Sequence, residues 1–205
     1  VVGVSGTCYV EDEYFADVIS RYSLRQAMEE RFIKKVEYVA EMPQTDSADE
    51  KWQLIYNRHQ EWKKRLKKLN IRPLTIVVTR DIKTCKLVAE ELQSFLQEWE
   101  KISGDDAERK VLPVSSAGEH QPNVVKLKAV DQPSSKVEWI VSVSMLSEGW
   151  DVKNVFQIVP HEERAFNSKL LIAQVLGRGL RRPDGWTGPE PVVTVFNHYA
   201  WAGRI

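Results

Sequence analysis

From residue 74 onward, apolar strand-like runs alternate with stretches of helical periodicity. The run Leu74–Thr79 contains only apolar and β-branched residues, which is typical of a central strand in a parallel sheet. The next stretch, which begins at Asp81, places apolar residues at helical spacing as far as Trp99. Further strand-like runs follow at 111–114, 139–143, 155–159 and 191–196. This order predicts an α/β fold, a three-layer domain with a mostly parallel sheet.

Two capping-box patterns predict helices upstream of this region. Ser23 opens a short helix that runs to about Arg31, and a strand follows at 35–40. Ser47 opens a strongly amphipathic helix that ends at Asn70. The sequence leaves open whether this second helix is a linker or an insertion, because its apolar stripe indicates only that it packs on another element.

Local composition predicts three more segments. The polar stretch Ser103–Arg109 contains Gly-Asp-Asp, and we expect a surface loop there. Residues 123–130 are expected to form a short helix, and Ser168 is expected to cap a helix that runs to about Leu176.

Composition narrows the class of protein only mildly. Lysine plus arginine equals aspartate plus glutamate, 29 against 29, so binding to phosphates would need a local basic patch. Cys8 and Cys85 are isolated, which indicates reduced thiols, and the histidines lack ligand spacing, so no metal site is predicted. No apolar run approaches about 18 residues and no signal peptide opens the chain, which predicts a cytoplasmic protein without a membrane partner.

The segment Gln174–Arg182 combines three arginines with two glycines at the end of an apolar helical run. Arg178 and Arg181 would share one helix face if the helical turn continues. Two guanidinium groups on one face can bind polyphosphate oxygens. A solvated basic helix end has the same spacing, because cations are favoured at helix C-termini, so spacing alone leaves both interpretations open.

Two loops are expected at the carboxyl ends of strands, where function gathers in parallel α/β sheets. Thr79 and Arg80 follow one strand and precede a helix, where backbone N–H groups and a hydroxyl can bind phosphate. An ordinary N-cap by Asp81 explains the same pattern. The stretch Ser142–Asp151 follows another strand, and its glycine turn would present Asp151. A structural turn explains the glycine alone, but not the serines, acid and tryptophan beside it.

Four short motifs occur in the order of a known family. SMLSEGWDVKNV is followed about 20 residues later by QVLGRGLRR, and the two resemble motifs V and VI of superfamily 2 helicases. LTIVVTRDIKTCKLVAEEL resembles motif IV, and GVSGTCY resembles motif III. The sequences of motifs V and VI resemble those of the restriction subunit of type III restriction enzymes. The resemblance implies a RecA-like, P-loop NTPase-type fold, with the chain as the second helicase lobe preceded by the tail of the first.

The resemblance implies an ATP site between the two lobes. Arg178 and Arg181 match the motif VI arginines, which in the family reach the γ-phosphate of ATP and stabilise transition-state charge. Gln174 matches the opening polar residue of that motif, near the nucleotide, and Gly177 is assigned to the ATP site with it.

The resemblance implies that motif V contacts both ATP and nucleic acid. Gly149 and Asp151 match the motif V pair beside the nucleotide ribose and the lobe interface. Ser142 or Ser144 matches the hydroxyl that faces nucleic acid, and the sequence does not decide between them.

Motifs III and IV would contact nucleic acid and couple it to the ATP site. Thr79 and Arg80 would contact the strand backbone through motif IV, while Ser5, Gly6 and Thr7 would provide the coupling through motif III. These contacts address phosphates, so binding to double-stranded DNA would be largely independent of sequence.

Two elements of the family are missing from this sequence. No Gly-Lys dipeptide occurs, so there is no Walker A loop, and the acidic stretch Glu11–Tyr14 lies on the wrong side of motif III to serve as motif II. We therefore expect a fragment that is inactive alone, with ATP and Mg²⁺ bound mainly by the absent first lobe.

The expected organisation has three parts. Residues 1–45 would be the tail of the first lobe and an interlobe segment, 46–72 the amphipathic linker helix or insertion, and 73–205 the second lobe. The expected partners are the protein's own N-terminal lobe, double-stranded DNA and a DNA-methyltransferase (modification) subunit. The alternatives are a stand-alone DNA or RNA helicase and a non-catalytic RecA-like interaction domain.

Overall fold

The computed structural model describes residues 9–10, 13–14, 22–39, 48–143, 151–161, 177 and 179–196. The helices are α1 (Leu24–Glu29), α2 (Ala48–Leu66), α3 (Ile82–Glu100), α4 (Gly104–Lys110) and α5 (Gln121–Leu127). The strands are β1 (Tyr9–Val10), β2 (Glu13–Tyr14), β3 (Lys35–Val39), β4 (Leu74–Thr79), β5 (Val111–Val114), β6 (Trp139–Val143), β7 (Val155–Pro160) and β8 (Val192–Phe196). The helix predicted from Ser168 lies outside the described residues.

Within the described residues, six strands form one parallel sheet in the order β3-β8-β7-β4-β6-β5. All six residues of β4 are buried, and β4 pairs with β7 on one side and β6 on the other. The prediction of a central strand at Leu74–Thr79 is confirmed. The strands begin at one edge of the sheet, called here the amino edge, and end at the opposite carboxyl edge.

Alternate residues of the central strands face two separate cores, which makes the domain three layers thick. Leu74, Ile76 and Val78 pack with Leu127, at the end of α5, on one face. Val77 packs on the other face, against α2 and α3. The predicted α/β architecture with a mostly parallel sheet is confirmed.

Helix α2 packs on the sheet in the same layer as α3. Trp52 and Ile55 are buried in the same core as α3 and β4, and Trp62 and Leu66 pack on Phe156 of β7. Strand β3, from the segment 1–45, pairs with β8 in the main sheet. Strand β3, helix α2 and the strands from β4 onward therefore share one folded unit, while the assignment of the three segments to two lobes and a linker stays a prediction.

Two predicted caps are confirmed by their hydrogen bonds. The Ser23 hydroxyl accepts from the Gln26 N–H at 3.1 Å, and the Asp81 carboxylate accepts from the Thr84 N–H at 2.7 Å. These bonds fix the starts of α1 and α3. In the described ranges, no helix is both long and apolar enough to span a membrane.

The surface loop predicted at Ser103–Arg109 is wrong, because this stretch is helix α4. The Ser103 hydroxyl accepts from the Asp106 N–H at 3.2 Å, and acidic residues occupy the first turn while Arg109 and Lys110 occupy the last. Such charges are favoured at those ends of a helix. Burial of Ala107 attaches α4 to the core, so a polar composition concealed a capped helix.

Candidate functional site

Asp151 and Arg181, both assigned from sequence to an ATP site, are in direct contact. The Arg181 guanidinium donates to the Asp151 carboxylate, although the two residues lie 30 positions apart. Both side chains are substantially exposed, Arg181 at 42% and Asp151 at 60%. The fold therefore presents a cation and an anion side by side at the surface, where a ligand can reach both.

The segment around Asp151 is fixed from below by Asp131. The Asp131 carboxylate accepts from the backbone N–H groups of Lys153 and Asn154, at 2.7 and 3.2 Å. Burial raises the pKa of the Asp131 carboxyl, and the two N–H groups lower it only in part. The Leu74 N–H donates to the Asn154 carbonyl at 2.8 Å, which joins the segment to the start of β4.

Arg181 is held by backbone pairing and not by a helix. Helical backbone is found at Gly177 and Gly179, a turn follows at Leu180, and Arg181 forms an isolated antiparallel bridge with Ile33. The condition under which Arg178 and Arg181 would share a helix face, a helical turn that continues to Arg181, is therefore not met. Burial of Leu180 in the core pulls the chain out of the helix there, and this orients Arg181 toward Asp151.

Asp151, the partner of Arg181, lines a cleft of about 470 Å³ at the amino edge of the sheet. Asp151, Lys153 and Asp184 line it together with Asn70 and Arg72. Lys153 donates to Asp184 at 2.6 Å, and that hydrogen bond is the largest cause of the raised pKa of Lys153. The wall of the cleft therefore carries both cationic and anionic groups.

Asp151 lies at the amino edge, so the prediction that it is presented at the carboxyl end of a strand is wrong. It precedes β7 by four residues, and β7 begins beside the start of β4. The chain must return across the sheet before it can begin another parallel strand. Sequence spacing from β6 does not reveal this return.

Three of the residues assigned to nucleic acid, Thr79, Arg80 and Ser142, lie at the opposite, carboxyl edge. Thr79 ends β4 and is fully buried, and its hydroxyl donates to the Ser142 carbonyl at 3.1 Å. Arg80 is exposed there and donates to Asp81 at 2.8 Å. The Ser142 hydroxyl is also fully buried, and no hydrogen-bond partner is found for it among the described residues. The length of β4 separates these residues from the amino edge by about 17 Å.

Sequence reasoning missed a basic group at the carboxyl edge. Lys51 of α2 lies 3.1 Å from Nδ1 of His161, whose backbone N–H donates to the Val78 carbonyl. Burial, followed by the charge of Lys51, lowers the pKa of His161 to about 4, so the imidazole is neutral at pH 7 and can accept from Lys51. No sequence motif links these two residues, because the contact depends on how α2 packs.

Several assigned residues lie outside the described part of the chain. They are Ser5, Gly6, Thr7, Ser144, Gly149, Gln174 and Arg178. Gly177 is described and exposed, and a side chain added there would enter open space. The roles assigned to all these residues stay predictions.

Several solved structures have a similar architecture. A fragment assigned as the HsdR subunit of a type I restriction enzyme from Vibrio vulnificus YJ016 is similar, with a TM-score of 0.59 at 18% identity. The match covers 93% of this chain and 37% of that one, so this chain spans little more than a third of its neighbour's length. At this identity the likeness concerns the fold.

Two further similar structures are of the DEAD-box protein Dbp5. Dbp5 of S. cerevisiae, bound to RNA and ADP BeF3, matches at 14% identity over 82% of this chain and 36% of that one, with a TM-score of 0.46. The C-terminal domain of the DEAD-box protein Dbp5 matches at 16% identity over 82% and 78%, with a TM-score of 0.41. No protein-family model matches the chain, and no curated protein matches it at significant similarity.

The sheet topology and the similarity to the HsdR fragment together define the fold class. The chain has the α/β, RecA-like fold that the motif order predicts, and the HsdR fragment shares this fold. The fold class is confirmed.

Proposed function

We propose that this chain is the C-terminal helicase lobe of an ATP-dependent DNA translocase, and specifically of the restriction subunit of a type III restriction enzyme. The exposed contact between Arg181 and Asp151 carries the proposal. Motifs V and VI are far apart in sequence, yet their two assigned residues meet at one surface. The alternative of a solvated basic helix end does not require this meeting.

The donor set of the site fits a nucleotide. A guanidinium binds phosphate oxygens in a fixed geometry, and a carboxylate accepts from ribose hydroxyls. Exposed ion pairs contribute only about 0–1 kcal/mol, so Arg181 can exchange its carboxylate partner for a phosphate at small cost. In the proposed reaction, Arg181 and Arg178 stabilise negative charge on the transferred phosphoryl group.

The carboxyl edge is the proposed DNA-binding edge. Arg80 provides an exposed guanidinium there, and Lys51 adds a second cation on the neighbouring helix. The Thr79 hydroxyl is used inside the sheet, so its proposed contribution is through the backbone at the start of α3. Ser142 or Ser144, and the Ser5–Thr7 element, are proposed to face the DNA and to couple it to ATP.

Two observations support a restriction subunit over other translocases. The wording of motifs V and VI resembles the type III restriction subunits, and the HsdR-type fragment with the same fold is a type I restriction subunit. The proposed partners are the protein's own first lobe, with its Walker A loop and Mg²⁺ ligands, and a modification subunit.

The test is ATP hydrolysis by the full-length protein, measured without nucleic acid and with double-stranded DNA or RNA of equal length. We expect stimulation by double-stranded DNA and little by RNA. Arg80→Ala should weaken stimulation and its salt dependence, whereas Arg109→Ala, an exposed arginine on α4, should not. Full-length protein that hydrolyses no ATP would exclude the proposal, and stimulation by RNA alone would replace it with an RNA helicase.

A further inference from the structure

A fully buried lysine lies beneath the Asp151–Arg181 pair. Lys34 comes directly before β3 and has no exposed surface. Its ammonium donates to three backbone carbonyls, those of Lys153 at 2.7 Å, Val155 at 2.6 Å and Gly179 at 3.2 Å. An ammonium has three N–H donors, so all three are used.

The three carbonyls belong to the two segments that carry the site. Lys153 and Val155 follow Asp151 by two and four residues, and Gly179 precedes Arg181 by two residues. The ammonium is therefore the point at which the two segments are joined beneath the surface. The Asp151–Arg181 contact joins the same segments at the surface.

The backbone around Lys34 strengthens the junction. The Lys34 N–H donates to the Leu180 carbonyl at 2.7 Å, and the neighbouring Ile33 pairs with Arg181. One short stretch before β3 thus holds Gly179, Leu180 and Arg181 in sequence.

Burial of the Lys34 side chain is energetically costly, and neighbouring groups offset only part of the cost. Burial of an ammonium is costly, and it lowers the pKa of Lys34 to about 7, against the favourable charge of Asp131. The Phe156 ring, 4.4 Å from Nζ, offsets part of this cost through a cation–π contact. A residue kept at such a cost is expected to do more than fill space.

We propose that Lys34 is a positioning residue that joins the Asp151 and Arg181 segments and so fixes the Arg181 guanidinium in the geometry that ATP hydrolysis requires. This inference rests on the proposed function. Lys34 touches no substrate and acts through Arg181. The groups that Lys34 binds are backbone carbonyls, which need an N–H donor. An apolar side chain of equal length would fill the space but would not join the two segments.

The test compares Lys34→Met, Arg181→Ala and the double variant in the full-length protein. Lys34→Met should lower kcat about 10- to 100-fold with little change in KM for ATP, because displacement of a catalytic group by about 1 Å has an effect of this size. The double variant should lose no more than Arg181→Ala alone, since both changes remove the same contribution. Lys110→Met is the control, because it removes another largely buried ammonium, paired with Glu100 away from the site.

Amide hydrogen exchange of the same variants gives a readout independent of ATP. Lys34→Met should accelerate exchange in peptides that cover 151–155 and 179–182, and Lys110→Met should not. If Lys34→Met does not unfold cooperatively, Lys34→Gln, which retains two N–H donors, is measured instead. A folded variant with wild-type kcat and wild-type exchange would overturn the inference, as would a multiplicative loss in the double variant. If the wild-type protein and Arg181→Ala hydrolyse ATP at equal rates, the proposed function fails. The junction is then judged by hydrogen exchange alone, and wild-type exchange in Lys34→Met would overturn it.

Discussion

Gly179 shows how closely the arginine segment packs on the sheet. A Cβ atom built there would lie 2.6 Å from Cδ1 of Ile158 and 3.5 Å from Cγ2 of Val193. The first contact is far inside van der Waals distance, so the neighbouring side chain must move. Glycine allows the backbone to approach the side chains of β7 and β8 closely here.

We expect Gly179→Ala to lower the free energy of unfolding by about 1–2 kcal/mol through overpacking. Gly177→Ala is the matched control, since nothing lies within 4 Å of the added methyl group, and it should change stability by less than about 0.5 kcal/mol. Urea unfolding of the two variants measures the difference. Equal stabilities would contradict the close packing.

Glu138 is the centre of a buried polar network between α2 and the sheet. Its carboxylate accepts from Lys63 at 2.9 and 3.0 Å and lies 3.2 Å from Nε2 of His59, whose Nδ1 lies 2.9 Å from the Thr75 hydroxyl. Burial raises the pKa of Glu138, but the contacts with His59 and Lys63 outweigh it and lower the pKa from 4.5 to about 2. The network therefore favours the ionised carboxylate.

The lowered pKa fixes the direction of the pH dependence. Stability contributed by Glu138 is fully present above pH 4.5 and is lost as the pH falls toward 2. Glu138→Gln should therefore cost about 3 kcal/mol at pH 7, and the difference from wild type should shrink through this window. Glu61→Gln, in an exposed pair with Arg58, is the control for urea unfolding at each pH. A difference that stays constant down to pH 3 would be incompatible with this account.

At the scale of elements, α2 is a structural layer. Trp52 is 1% exposed, packs in the core with α3, and its indole N–H donates to Glu91 at 2.5 Å. Trp52→Ala should lower the free energy of unfolding by about 3–5 kcal/mol. Trp99→Ala, at a position that is 47% exposed, should cost much less. Equal, small effects in chemical denaturation would mean that α2 is a detachable linker after all.

The central strands β4, β6 and β7 were predictable from sequence because each one is a short, mainly apolar run that pairs on both sides. The bounds of β4 and β6 match the residue pattern, since burial on two faces favours apolar and β-branched side chains. Helix α4 was not predictable from composition, because its seven residues are mostly charged and only Ala107 is buried. Its stability comes from the Ser103 cap and from attachment to the sheet.

The candidate site was predictable in part. The motifs named Asp151 and Arg181, and the fold brings them together. Their place at the amino edge, the end of helical backbone before Arg181, and the junction at Lys34 depend on contacts between distant segments. A lysine before an edge strand has the sequence pattern of a solvated charge, so its burial could not be foreseen.

At the scale of the whole molecule, the described residues divide their polar groups between two edges of one sheet. The amino edge carries Asp151, Arg181 and the cleft beside them, and the carboxyl edge carries Arg80 and Lys51. In the proposed function, the sheet between the two edges provides the physical connection between the nucleotide and the polynucleotide. In this account the chain alone hydrolyses no ATP, because no Gly-Lys dipeptide for a Walker A loop is present.

The most direct test of the central claim is the kcat for ATP hydrolysis of full-length Arg181→Ala protein. Arg182→Ala is the matched control, since this neighbouring arginine donates to the Arg31 carbonyl and not to Asp151. The account predicts that Arg181→Ala lowers kcat by about 10³-fold, as removal of an arginine finger does, while KM for ATP changes little. Arg182→Ala should retain kcat within about threefold of wild type. An Arg181→Ala protein with wild-type kcat would contradict the account.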